Sequence, residues 1–437
     1  MIDQRPAGTA QPRGRLAALD GLRLFAAAIV VAYHLIGLPN SHLYEHHNHD
    51  EFGKLYGFAT YGYLGVQLFF MISGFVICMS SWGRSLQDFA VSRVVRLFPM
   101  YWVAVLISAL VVHFNAPLAR SSNFIVPVPK SDFLLNLTMV QNAYGVSDVD
   151  GVYWTLWSEL RFYLLFALVI RGGLTYKRTL GFCLVWIVAG TLAAGANMPV
   201  LNLILQPSSM PYFVAGILLY LVHRFGPSLP LFGLLGVCFL LAQHHEYAAI
   251  TARNHVFGTS NRWLIVTIVL TVFFALLSAV ALGWASWARW RWLTFAGALT
   301  YPLYLLHQDT GIIVILSMKG RVAPWLALLA TLTGVLLAAY LGHRFVEKPM
   351  APWLKRHLKS GLERGLRAGP EPDPTPEPQP TPAPASALAP EPTQTAPPLT
   401  KLEPARGRVY MGASESYAGT PWSDRYADQD GGVARTL

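Results

Sequence analysis

From residue 22 to residue 344 the chain alternates long apolar runs with short polar segments. A hydrocarbon core of about 30 Å takes roughly 20 helical residues. Ten stretches approach that length, near 22–38, 62–82, 99–114, 153–170, 179–195, 210–223, 229–243, 263–284, 299–318 and 323–344. Pro99, Pro211 and Pro302 open or interrupt three of them, because proline cannot donate to the preceding helical turn. No small-x-small cleavage site follows the first run, so it reads as a retained span and not as a signal peptide. The pattern predicts an all-α, polytopic membrane bundle of about ten transmembrane helices. It divides the chain into a cytoplasmic segment 1–14, a membrane domain 15–350 and a tail 351–437.

Composition changes this picture in two places. Of the 437 residues, 54% are hydrophobic and 13% charged, against about 25% charged in an average soluble domain. Residues 361–437 carry 7 Lys/Arg and 10 Asp/Glu, leaving 26 and 13 for the first 360. The body therefore has too few charges to cover a water-facing surface, which argues against a cytosolic enzyme. Residues 369–404 contain 13 prolines in 36 positions. Such a segment builds neither helix nor core and reads as disordered, locally polyproline II chain.

Charge also sets orientation, since cytoplasmic loops collect Lys and Arg. With the N-terminus inside, the inner loops hold 17 basic residues and the outer loops 7. Both termini are expected in the cytoplasm. The formal charge of +10 is spread over loops and does not form a basic aromatic patch, so no nucleic-acid partner is expected. Cys78, Cys183 and Cys238 each sit inside an apolar run, which gives neither a disulfide framework nor a zinc site.

Ionisable groups inside spans are costly and are functional candidates by default. Here they are Asp20, Arg23 and His34 in the first span, Glu159 and Arg161 in the fourth, and His307 and Asp309 in the ninth. Arg23 and His34 are 11 residues apart, close to three turns, so they share a helix face about 16 Å apart along the axis. In SRVVRLFP, Arg93 and Arg96 lie three apart and can offer paired donors to phosphate oxygens or to anionic lipid headgroups. Glu159 sits among aromatics in YWTLWSELRFY and needs a partner on another helix. His34 is the natural proposal, because a carboxylate on one imidazole nitrogen frees the other to take a proton. In TYPLYLLHQD, Tyr304 and His307 share a face with Tyr301 one turn earlier, fit either for substrate or for packing. The first outer loop offers His42, His46, His47 and His49 with Glu45, Asp50 and Glu51. These types suit zinc, but the loop faces solvent, and no metal site is assigned.

These residues resemble acyltransferase family 3, membrane proteins that move acyl groups, commonly acetyl, from cytoplasmic acyl-CoA to sugars and other envelope acceptors. The resemblance covers roughly residues 15–350 and rests on LDGLR with Arg23-x10-His34, YLGVQLFFMISGF at 63–75, SRVVRLFP at 92–99, YWTLWSE at 153–159 and YPLYLLH at 301–307. It implies that His34 is the general base, that Arg23 with Arg93 and Arg96 binds acyl-CoA, and that Glu159 orients His34 or a substrate group. Tyr153, Trp154, Tyr301, Tyr304 and His307 become candidate substrate contacts. The implied donor is acyl-CoA, with no bound cofactor, and the implied acceptor is an extracytoplasmic carbohydrate. Direct attack on the thioester and an acyl-histidine intermediate both remain open. The competing class is a transporter or flippase using the same His/Glu/Arg set as a proton relay.

Overall fold

The computed structural model describes residues 16–288 and 290–367. The segment before residue 16 and the proline-rich tail lie outside the described residues. Among those described the fold is all helix with no strand. The main helices are α1 (Ala17–Ala32), α2 (Gly65–Ser81), α3 (Leu86–Phe114), α4 (Trp154–Arg171), α5 (Tyr176–Gly195), α6 (Pro199–Leu205), α7 (Met210–Phe225), α8 (Leu229–Phe257), α9 (Trp263–Ala281), α10 (Arg291–Leu306), α11 (Asp309–Met318), α12 (Pro324–Gly342) and α13 (Lys348–Arg367). Helix thus occupies all ten apolar stretches, and among the described residues seven helical segments are long and apolar enough to cross a membrane.

Contacts between helix ends sort the bundle into two poles. At one, Asp88 of α3 meets Lys359 of α13 at 2.6 Å, Arg224 of α7 lies over Trp82 behind α2, and His223 bonds the Ala281 carbonyl ending α9. At the other, Asn40 bonds the Phe257 carbonyl, the Arg262 amide bonds Tyr61 and Lys319 bonds the His42 carbonyl. Among the described residues these contacts put the ends of α2, α7 and α9 at one pole and the ends of α8 and α11 at the other, and α6–α7 and α10–α11 are each broken helices. Large apolar side chains face outward around the girdle, for example Leu168, Leu192, Leu240 and Leu264, as a lipid-exposed surface requires. Trp284, Trp287 and Trp290 between α9 and α10 and Trp292 in the first turn of α10 are exposed, as in the aromatic belt of a membrane interface.

The tightest packing joins α2 to α7. A Cβ added to Gly74 would collide with the Phe213 carbonyl, and one added to Gly216 with the Met71 carbonyl. Small residues here let two backbones touch where lipid gives helices no hydrophobic reason to associate. This contact holds α2, one wall of the site, in place.

Three expectations about local structure differ from what forms. α3 begins at Leu86 and runs through Pro99, so Arg93 and Arg96 lie on the same helix as the third span. The ninth stretch is not one helix, since α10 stops at Leu306 and α11 restarts at Asp309. Helix also continues past residue 350, where the membrane domain was expected to end: α13 reaches Arg367. It follows α12 through a π-helical turn, His343–Glu347, and carries Pro352 inside it.

Candidate functional site

The polar groups of α1, α2, α3, α4 and α10 converge on one open cleft of about 130 Å³. Arg23, Arg93 and Arg96 line it together with Glu159, Ser73, Thr155, Tyr163, Tyr301 and Tyr304, and Val66, Phe69, Phe70, Ile77 and Leu97 supply an apolar wall. The three arginines expected to cluster are thus in one place. Arg23 keeps Asp20 at 3.5 Å, and Arg96 keeps Glu347 at 3.6 Å while lying over the Tyr301 ring. Arg93 lies between the rings of Phe89 and Tyr163. Guanidinium groups held on aromatic faces keep their N–H edges directed outward, the arrangement that receives phosphate or carboxylate.

Glu159 lies in this cleft, where the Ser73 hydroxyl donates to it at 2.5 Å. It is not the partner of His34. The expected pairing failed because sequence gives depth along a helix but not the rotation of one helix against another.

At the end of the cleft away from the arginines, the Tyr304 and Thr155 hydroxyls are 2.8 Å apart, and the Phe69 ring packs edge-on against Tyr304. One helical turn beyond Tyr304 the α10–α11 break brings His307 against His34, with His307 Nε2 3.1 Å from His34 Nδ1. His34 itself sits in a π-helical turn, Tyr33–Gly37, that ends α1; such turns recur at functional sites. The partners assign the tautomers. Tyr304 O lies 2.8 Å from His307 Nδ1, and Val30 O lies 3.0 Å from His34 Nδ1. A carbonyl only accepts, so both Nδ1 atoms carry protons in the neutral rings. His307 Nε2 is then the acceptor for the His34 Nδ1 proton, and His34 Nε2 keeps a lone pair with no hydrogen-bond partner among the described residues.

The broken helix exposes backbone groups at membrane depth, and buried side chains satisfy them. Tyr153 donates to the Leu305 carbonyl at 3.2 Å, and Asp150 accepts from the Asp309 amide at 3.3 Å. Tyr153 therefore braces the break and does not line the cleft, and Trp154 packs against Phe70. Tyr301 and Tyr304 do line it. Arg161 turns away to Ser158 and the Leu203 carbonyl. In the outer loop His46 pairs with Glu51 and His42 stacks on His47; among the described residues no His/Cys/Asp/Glu group is arranged to hold a metal. Ser73, Thr155 and Tyr163 were not anticipated, since a hydroxyl in an apolar run carries no signal by itself, and Glu347 lies past the last apolar run.

A helical membrane bundle with an arginine-lined cleft running toward a buried histidine pair defines the class. The chain belongs to acyltransferase family 3, whose acyltransferase-domain model matches residues 16–344. It is similar to O-acetyltransferase OatA of Staphylococcus aureus (strain NCTC 8325 / PS 47), 24% identical over 372 residues that cover 77% of this chain and 57% of that protein. Peptidoglycan O-acetyltransferase OatA of Listeria monocytogenes is 22% identical over 380 residues, 78% of this chain and 57% of that protein. Acyltransferase MdmB of Streptomyces mycarofaciens is 27% identical over 234 residues, 48% of this chain and 58% of that protein. The chain therefore spans less than two thirds of the length of each of these relatives. No solved structure matches it.

Proposed function

We propose that the protein transfers an acyl group, acetyl in the first instance, from cytoplasmic acyl-CoA to a hydroxyl of a cell-envelope carbohydrate outside a bacterial inner membrane. The observation that carries this reading is the single cleft that starts at Arg23, Arg93 and Arg96 and ends at Tyr304 and Thr155, one turn from the His307–His34 pair. The basic bias of the loops supports a cytoplasmic arginine pole and cytoplasmic termini, on the side where acyl-CoA is made. The names of the relatives support acetyl as the group and an envelope polymer such as peptidoglycan as the acceptor.

In this reading the guanidinium groups bind the CoA phosphates and the apolar wall takes the pantetheine arm. The thioester reaches the Tyr304–Thr155 end of the cleft. His34 Nε2 removes the proton of the acceptor hydroxyl as its oxygen attacks the thioester carbonyl; the C–O bond forms, the C–S bond breaks, and the imidazolium returns the proton to the departing thiolate. His307 holds the His34 ring in the tautomer that leaves Nε2 free. Glu159, bonded to Ser73 beside the arginines, limits the positive charge of the donor site and helps fix the arm.

Mass spectrometry of envelope glycans from cells with and without the gene tests the proposal. One acetyl group per modified sugar should disappear on deletion and return with the wild-type gene but not with His34→Ala. Identical glycans in all four strains refute it.

A further inference from the structure

A second buried polar cluster lies beside His34, outside the arginine cleft. Its residues come from α8, α7, the start of α2 and the turn before it. Glu246 and Arg253 are seven residues apart on α8, so they share a face. Glu246 is 5% exposed; one of its oxygens accepts from Gln67 at 2.6 Å and from Tyr212 at 3.0 Å. The Arg253 guanidinium lies 3.6 Å over the ring of Tyr63. The Tyr63 ring meets that of Tyr33 at 5.8 Å, and Tyr33 meets His34 at 5.0 Å. The cluster thus reaches the proposed base through two aromatic rings.

Its polar capacity is incomplete. Tyr63 Oη, Gln67 Oε1 and Arg253 Nη1 are buried without a hydrogen-bond partner. Interiors leave few such atoms, and each one asks for an explanation. Three in one cluster form a set with both donors and acceptors. A simple anion would satisfy only the donors and a cation only the acceptors. Hydroxyl groups do both, and the tyrosine rings offer flat apolar faces.

We propose that this cluster is the acceptor subsite, binding a hydroxyl-rich sugar ring and presenting a neighbouring hydroxyl to His34. The inference rests on the acyltransferase reading and extends it: donor and acceptor approach the histidine pair from different poles. Asn40 bonds the end of α8, so the cluster belongs to the pole opposite the arginines, where an external glycan arrives. Arg253 and Gln67 bind sugar oxygens on opening of the cluster, and Glu246 holds Gln67 and Tyr212 in register.

The test uses the full chain in its own cells with the native acceptor. Tyr63→p-azidophenylalanine is illuminated in vivo and the purified protein is analysed by mass spectrometry. A hexose- or hexosamine-containing adduct is expected at position 63 and none at the lipid-facing position Leu168 carrying the same probe. Absence of a glycan adduct at 63 overturns the subsite when the wild-type cells display gene-dependent acetylated glycans. Failure of the acyltransferase reading shows separately, as glycans unchanged by gene deletion. Tyr63→Phe gives a second measurement: the lost hydroxyl has no partner, so the unfolding midpoint should stay within about 2 °C of wild type. Glycan acetylation should still fall roughly two- to tenfold, the worth of one hydrogen bond to the acceptor, and fall further in Arg253→Gln. Acetylation at the wild-type level in both variants also overturns the proposal.

Discussion

Replacing His307 by Phe keeps a ring at the α10–α11 break and removes the nitrogen that accepts from His34 Nδ1 at 3.1 Å. The Val30 carbonyl, 3.0 Å away, remains for that proton. The His34 ring therefore loses one of two acceptors in a shared bond. A net hydrogen bond contributes about 0.5–1.5 kcal/mol, and about 1.36 kcal/mol corresponds to tenfold. His307→Phe should then lower kcat roughly 2- to 13-fold through misorientation of the base. His34→Ala removes the proposed base itself and should cost about 10²- to 10⁴-fold. His307→Gln retains a terminal oxygen able to accept the same proton and should recover activity to within about twofold of wild type. The assay is transfer of label from [14C]acetyl-CoA to envelope glycan in proteoliposomes, with donor concentration varied. KM for acetyl-CoA should not change, because the arginines lie at the other end of the cleft. A loss in His307→Phe as large as in His34→Ala would make His307 a participant in the chemistry. No loss at all would remove its positioning role.

Arg93→Ala and Arg96→Ala should raise KM for acetyl-CoA about tenfold or more, since each removes charge-assisted donors to phosphate, while kcat at saturating donor changes less; a fall in kcat alone would contradict the phosphate-binding role. Gly74→Val should destabilise the α2–α7 contact by about 1–3 kcal/mol or more through overpacking, visible as a lower unfolding midpoint in detergent. In the outer loop, Glu51 accepts from His46 and raises the imidazole pKa above its ordinary value. A raised folded-state pKa means the pair's contribution is present below the unfolded pKa and is lost as pH rises through the folded one. Glu51→Gln should move the His46 titration, followed by NMR of labelled histidine, toward lower pH.

Much of this site was legible because charge is so scarce in the body. Arg23, Arg93 and Arg96 stood out as basic residues near one end of their helices, and the structure does gather them. His34 and His307 stood out as isolated histidines in apolar runs, yet their pairing was not readable, because it depends on the helix break after Leu306. Nothing local in YPLYLLHQD marks that break. It is stabilised from a distance by Tyr153 and Asp150. Glu159 was recognised and given the wrong neighbour, since its nearest hydroxyl, Ser73, looked like an ordinary small residue. Glu246 and Arg253 escaped notice because the apolar run of α8 fades near residue 243, whereas the helix continues to Phe257. The fold as a whole was more legible than the site, because a lipid environment imposes long apolar helices but leaves their rotation and breaks to contacts between distant residues.

The most direct measurement of the central claim is acyl transfer across the membrane in sealed, oriented vesicles. [14C]acetyl-CoA is supplied only at the face carrying the arginine pole, and label is followed onto glycan at the opposite face, for wild type and for His34→Ala at matched protein levels. The account predicts label on the distal glycan with wild type and a fall of about 10²- to 10⁴-fold with His34→Ala. Transfer by His34→Ala at the wild-type rate, or transfer only when acetyl-CoA is supplied at the opposite face, would contradict it.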